Sequence, residues 1–266
     1  MSLSTHVIKT AKAILSGANQ DNNVTLNNTL RLLAKWRSVI IQNTIIANHG
    51  TVIHGGPFIG MQFLHKSAEG CHVAKLLGCY EQPLHKYFTA AALGRYDRVI
   101  NIGCAEGYYA VGIARLSESV MVDAYDTDEV ARESCTSLAR NNNVSDRVNV
   151  YGAFSAKSFA DYTGQKCLVL CDVEGAEKEL LDIDACPEMR KLDFIIESHE
   201  CLVPGITDEL ISRFSHTHRI TKILDIGSRR VVNPPEWFAN LSHLDQLLAT
   251  WEWRSGPTPW LVLETL

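Results

Sequence analysis

No apolar run in these 266 residues approaches the roughly 20 needed to span a bilayer. The opening MSLSTHVIKTAKAILSG has neither an apolar stretch long enough nor a cleavage site convincing enough for an export signal. A cytoplasmic chain with no membrane partner is therefore expected. Basic residues are not in excess either. With 25 Lys and Arg against 30 Asp and Glu the formal net charge is -5, so nothing points to phosphate-backbone binding and nucleic acid is not an expected partner. CxxC pairs are absent. The eight cysteines are scattered, and CLVLC puts Cys167 and Cys171 on one face of a strand, which suits small buried hydrophobes better than a metal or disulfide. There is no internal repeat and no low-complexity segment, and the one boundary worth drawing lies near residue 95.

What is present is a globular composition, 46% hydrophobic and 21% charged, in a length that fits one domain or one domain with an extension. Residues 1 to about 50 show no strand alternation, and TLNNTLRLLAKWRSVIIQNTIIANHG spaces its apolar residues as a helix that stops at Gly50. TVIHGGPFIGMQF then reads as a turn-rich connector with a short strand pair, and KLLGCYEQPLHKYFTAAALGRY as a helix. From Arg98 onward strands and helices alternate. Strands are expected at Val99–Ile102, Val120–Tyr125, Val148–Tyr151, Cys167–Asp172, Phe194–Glu197, Arg219–Asp225 and Trp260–Leu263. Helices are expected at Tyr108–Ser117, Glu129–Asn141, Ala176–Ile183, Thr207–Phe214 and Trp237–Thr250. The expected fold is α/β: a seven-stranded, mostly parallel sheet with helices on both faces, over residues 96–266. A helical N-terminal extension or lid, residues 1–95, precedes it.

Four strand tips carry the chemistry. In DRVINIGCAEGYYAVGIAR, Gly103 and Gly107 make G-x-x-x-G, which omits the middle glycine of the dinucleotide fingerprint; a glycine at a strand end still admits a ligand close to the backbone, and a plain tight turn is the alternative. VMVDAYDTDE ends a strand in Asp126, about two dozen residues on, where a carboxylate accepts from both hydroxyls of a ribose. Otherwise Asp126 or Asp128 caps the next helix. RVNVYGAFS closes on small residues beside which a flat ring fits. LVLCDVEGAEKELL and FIIESHE bring Asp172, Glu174 and Glu177, then Glu197, His199 and Glu200, to one sheet edge. Carboxylates gathered at the ends of apolar strands repel one another and ask for a cation, a proton or a donor-rich substrate. Asp172, Glu197 and Glu174 are the candidate metal ligands, Glu200 a further one, and His199 the candidate general base. The alternative for Glu174 and Glu177 is the solvent-facing first turn of a helix.

These elements, in this order, resemble the class I S-adenosylmethionine-dependent methyltransferases, and DVEGAE followed by IIESHE resembles their FkbM-type branch, over about residues 97–200. The resemblance implies a Rossmann-like sheet, S-adenosylmethionine as cofactor, and O-methylation of a hydroxyl on a sugar, glycan or other small metabolite. Mg²⁺ or another divalent cation is an optional participant and a homodimer an admissible assembly. It assigns Gly103 to the methionine side of the cofactor, Asp126 to its ribose, Ala153 and Phe154 to its adenine, and Asp172 to a place beside the methyl group, with Gly107 a further cofactor-binding residue. The superfamily's acidic residue two places before the first glycine is here Asn101, whose amide can still hydrogen-bond the cofactor's amino group, with Glu106 making up part of the missing charge. His54, Tyr80 and Glu81, in the pre-domain segment, become candidates for substrate contact. Trp251, Trp253 and Trp260 fit either a sugar-stacking wall or the core. Arg229, Arg230 and Arg254 fit either a substrate anion or neighbouring acids. Two rivals stand beside this reading: a binding protein that keeps the cofactor but has no turnover, and an NAD-dependent oxidoreductase. Against the latter speak the missing glycine and the antiparallel look of RITKILDIG with TPWLVLETL.

Overall fold

Seven strands form one sheet in a computed structural model that describes residues 2–17, 22–65 and 71–266. They are β1 (Arg98–Ile102), β2 (Met121–Tyr125), β3 (Val148–Tyr151), β4 (Cys167–Cys171), β5 (Asp193–Glu197), β6 (His218–Ile223) and β7 (Trp260–Thr265). Their order is β3-β2-β1-β4-β5-β7-β6. Strand β7 runs antiparallel to both β5 and β6, and every other neighbouring pair is parallel. The antiparallel final pair is the one its sequence announced. The helices are α1 (Leu3–Ser16), α2 (Asn22–His49), α3 (His72–Leu77), α4 (Ala90–Leu93), α5 (Tyr108–Leu116), α6 (Glu129–Asn141), α7 (Glu177–Leu180), α8 (Ile206–Phe214), α9 (Glu236–Ala239) and α10 (His243–Thr250).

Strand alternation explains why both faces are covered. In β4, Leu168 and Leu170 enter one apolar cluster while Cys167, Val169 and Cys171 enter the other. Both cysteines are buried free thiols, as are five of the remaining six. The first cluster also takes Ile41 and Ile45 of α2 and Leu76 of α3, so residues on either side of position 95 pack in one core. Arg37 of α2 forks onto Asp245 of α10 at 2.8 and 2.7 Å, which fixes the long helix across the C-terminal part. No helix among the described residues is long and apolar enough to cross a membrane.

Several elements are shorter than their periodicity predicts. The helix expected through KLLGCYEQPLHKYF stops at Gly78, gives way to a 3-10 turn at Gln82–Tyr87 with Pro83 near its start, and resumes only as α4. The expected strand pair in TVIHGGPFIGMQF is one isolated bridge, Val52 to Gln62. Ala176–Ile183 contains only the single turn of α7, and Trp237–Thr250 divides into α9 and α10, where Ser242 caps the second helix by accepting from the Asp245 N–H.

The chain leaves β1 for β2 and β3 on one side, then crosses back to β4 on the other. That reversal opens a crevice at the carboxyl ends of β1 and β4, the place where open α/β sheets bind ligands.

Candidate active site

Backbone sterics shape the crevice. Ile102 O still accepts from Asp172 N at 3.0 Å, after which the chain turns at Gly103 with φ +80°. A Cβ there would lie 1.7 Å from Asp172 O, so glycine lets β1 and β4 close on each other as well as letting a ligand approach. Asp126, at the tip of β2, holds the loop: its Oδ2 accepts from Ala105 N at 2.8 Å and its Oδ1 from Asp128 N at 2.9 Å. A carboxylate offers about four lone pairs, so acceptor capacity remains for a cis-diol. The capping role falls instead to Asp128, which accepts from Val130 N at 3.0 Å. Above this lies a cavity of about 550 Å³ whose lining includes Gly103, Ala105, Tyr125, Asp126, Phe154 and Asp172, with the Tyr125 and Phe154 rings edge to face at 4.8 Å. Its size and lining suit a nucleoside.

Three residues expected at this cleft are elsewhere. Ala153 is exposed and does not line it; Phe154 and Ala156 do. Gly107 backs onto α6, where a Cβ would meet Cys135 Sγ at 2.6 Å, so it serves helix packing. Glu106 borders none of the cavities described. It is buried and paired with Lys75 of α3 at 2.5 Å, with the ammonium 4.8 Å from the Tyr80 ring centroid. Beside this pair the buried His72 is held down to about 4, by desolvation first and by the Lys75 charge second.

Beneath the tip of β1 is a cavity of about 40 Å³ bordered by Glu81, Asn101, Tyr109, Asp172 and Glu197. Asn101 is 3% exposed, and its Oδ1 accepts no hydrogen bond. A third cavity of about 280 Å³ is bordered by Tyr80, Asp172, Glu174, Glu197, His199 and Trp253. Asp172 borders all three.

His199 sits in the turn that comes after β5. Its Nδ1 meets Oε1 of Glu177 at 2.5 Å, and Glu177, expected to be as much at home in solvent, is completely buried at the start of α7. Its Nε2 faces Asp172 Oδ1 at 3.5 Å, Glu174 Oε2 at 3.6 Å and Glu197 Oε1 at 3.8 Å. Burial disfavours the imidazolium, but the Glu177 hydrogen bond and the charges of Glu197, Glu177 and Glu174 outweigh it, and the His199 pKa is raised. The metal set changes accordingly. Asp172, Glu174 and His199 bring ligand atoms within 4.8 Å of one another. Glu197 turns to a short contact with Arg254, an interaction whose partner lies far along the chain and leaves no local trace.

Arg254 also reaches Glu81 at 2.6 Å, Asp225 at 3.1 Å and Glu252 at 3.2 Å, and Arg229 pairs with Glu252 at 2.5 Å and Asp225 at 2.9 Å. These arginines bind the protein's own acids, whereas Arg230 is exposed. Trp260 is core; Trp253 borders the third cavity while its Nε1 donates to Ser38 Oγ of α2 at 3.2 Å. Trp251 borders none of the three cavities; its ring lies 6.1 Å from Trp253 and under Arg31 at 5.7 Å. Glu200 accepts from Gly205 N and Thr207 N, and borders none of the three cavities. His54 packs edge-on to Trp237 at 5.9 Å, away from them too. Sequence reasoning missed Tyr125 as a cleft residue and Glu177 as the anchor of His199. No local signal marked the second, because its partner lies 22 residues along the chain.

No protein-family model and no curated protein matches the chain. Among solved structures it is similar to the O-methyltransferase TomG from Streptomyces achromogenes, involved in tomaymycin synthesis and solved in complex with SAM, at 13% identity and a TM-score of 0.46 over 72% of this chain and 78% of that one. Cofactor-bound Rv0187 from MTB is 12% identical with a TM-score of 0.45, over 92% and 98%. A precorrin-6y C5,15-methyltransferase from Geobacter metallireducens GS-15 is 10% identical with a TM-score of 0.42, over 66% and 87%. At these levels the similarity assigns no residue a role. Residue roles rest on the strand order and on the geometry of the site itself.

Proposed function

We propose that the protein is an S-adenosylmethionine-dependent O-methyltransferase acting on a hydroxyl of a sugar, glycan or other small metabolite. One observation carries this reading: a nucleoside-sized cleft, a small cavity with an orphaned amide oxygen and a chamber bearing an anchored histidine all meet at Asp172. The residues fit the cofactor. Asp126 retains acceptors for the ribose, Tyr125 and Phe154 offer aromatic surface to the adenine, and Asn101 has a buried oxygen in need of a donor. When bound, the cofactor supplies a methyl group on a sulfonium, a leaving group that departs as a neutral thioether.

The chain's task is alignment and proton removal. Glu177 would fix the His199 tautomer with the proton on Nδ1, leaving the Nε2 lone pair toward the chamber, where it would take the proton of the acceptor hydroxyl. Asp172, beside both, favours positive charge at that point. Tyr80 and Trp253 wall the acceptor, so the N-terminal segment completes the chamber as its lid. Transfer of labelled methyl to a panel of sugars and phenols tests the proposal; cofactor binding with no transfer to any of them would favour a binding protein instead.

A second reading is favoured by the cluster of Asp172, Glu174 and His199: these residues would hold a divalent cation that lowers the acceptor hydroxyl's pKa. Dialysis against a chelator separates the two. The base reading predicts unchanged activity, the metal reading a loss restored by Mg²⁺ or Mn²⁺.

A further inference from the structure

Asn101 stands where the resemblance would place a carboxylate for the cofactor's amino group, and Glu106 is paired with Lys75. A carboxylate nevertheless reaches the cavity beneath β1, from a distant part of the chain. Glu81, between α3 and the 3-10 turn, is 3% exposed and borders that cavity together with Asn101 and Gly103. Its placement is set by several contacts at once. Its backbone is left-handed, with φ +47°, and its N–H donates to Glu252 Oε1 at 2.8 Å. Its Oε1 accepts from Arg254 Nη2 at 2.6 Å, and its Oε2 accepts a short hydrogen bond from the Tyr109 hydroxyl of α5. Held from three directions, this side chain is a fixed wall of the cavity.

The charges around it are uneven. Among the described residues, Glu81, Glu197, Asp225 and Glu252 surround two guanidiniums, Arg229 and Arg254, with the His199 imidazole 3.8 Å from Glu197. A desolvated excess of carboxylate is unfavourable until a cation joins it. Burial and the Glu197 charge push Glu81 up to about 7 against the opposing pull of Arg254, as expected where one positive charge is shared too widely. The cavity, about 40 Å³, has room for about three water-sized groups. Its polar wall therefore offers one orphaned acceptor, Asn101 Oδ1, and three carboxylates, Glu81, Asp172 and Glu197, of which Glu81 is the one the N-terminal segment brings, but no unpaired cation among the described residues.

We propose that Glu81 and Asn101 Oδ1 together hold the α-ammonium of the cofactor's amino-acid end, the N-terminal segment delivering the charge that strand β1 does not carry. The inference rests on the methyltransferase reading. It makes residues 71–95 part of the cofactor site as well as of the acceptor chamber, and a cofactor without its amino group a poor ligand.

Calorimetry on the full chain tests this with three probes: adenosylhomocysteine, its desamino analogue, and methylthioadenosine, which has no amino-acid end. The wild type is expected to bind adenosylhomocysteine about tenfold or more tighter than the desamino analogue, the strength of one charge-assisted hydrogen bond. Glu81→Gln is expected to abolish that preference while leaving the other two probes within about twofold. Glu81→Asp keeps Arg254 neutralised and only withdraws the carboxylate, and so guards against a variant that fails to fold; it should lose part of the preference. Asn101→Leu should lose part of it too. A wild type indifferent to the amino group, or a Glu81→Gln chain that weakens all three probes alike, overturns the proposal while leaving the methyltransferase reading standing. A wild type that binds none of the three overturns both.

Discussion

Two buried charged pairs decide what single residues do here. His199 is raised by its acidic neighbours despite its burial, so its neutral form becomes the major one only at a pH above the ordinary value near 6.5. The rate of a reaction that uses it as base should therefore rise with pH through that higher value, and Glu177→Gln should move the acidic limb of the kcat/KM profile downward. The same interactions stabilise the fold fully below about 6.5 and are lost as pH rises through the raised pKa. His199→Asn is expected to lower kcat by about 10² to 10⁴ and leave adenosylhomocysteine affinity within about twofold, read by single-turnover kinetics and calorimetry. Lys75 and Glu106 are the second pair, 2% and 1% exposed. Lys75→Met leaves a carboxylate buried near aromatic rings and should cost about 3 to 5 kcal/mol in urea unfolding. Adding Glu106→Gln to the same chain should recover most of that.

At the scale of elements, the site depends on how closely β1 and β4 approach at their tips. Gly103→Ala would drive a methyl group into Asp172 O, and both loops would have to part. Unfolding experiments should show a loss of about 2 kcal/mol or more, with weaker adenosylhomocysteine binding, because the strain falls on the residue shared by all three cavities. Gly152→Ala is the control. Nothing lies within 4 Å of a Cβ there, and its effect should stay within about 0.5 kcal/mol. The strands were legible as sequence because β4 is an unbroken apolar run buried on both faces and β1 is an apolar run broken only by Asn101 after Arg98. The shortened helices were not. Helical spacing continues through KLLGCYEQPLHKYF, but a close packing of Gly55 against Gly78 ends α3, and no pattern within the segment reveals its partner.

Helices α2 and α3 share a core with the sheet, and the C-terminal segment returns to face them. Arg31 of α2 donates to Trp253 O at 2.7 Å, and Glu81 and Arg254 meet across most of the chain. A ligand bound at the crevice should therefore stabilise the entire fold. Adenosylhomocysteine at about 100 times its Kd contributes about 2.7 kcal/mol, which for a chain of this length raises the Tm by about 5 to 10 °C. NAD should leave the Tm unchanged, and a shift with NAD in its place would point to the oxidoreductase.

Local pattern alone was enough to establish the sheet, the glycine turn, Asp126 at the tip of β2 and the acidic edge after β4 and β5. Each of these comes from hydrophobic period, turn chemistry or a carboxylate at a strand tip, all properties of neighbouring residues. The partnerships came from folding: Glu177 under His199, Glu197 on Arg254, Glu106 on Lys75 and Glu81 brought to the cavity below Asn101. A buried charge takes whichever counter-charge the packed chain brings within hydrogen-bond reach, and that choice is made by the crossing of distant segments, which periodicity along one strand or helix does not encode.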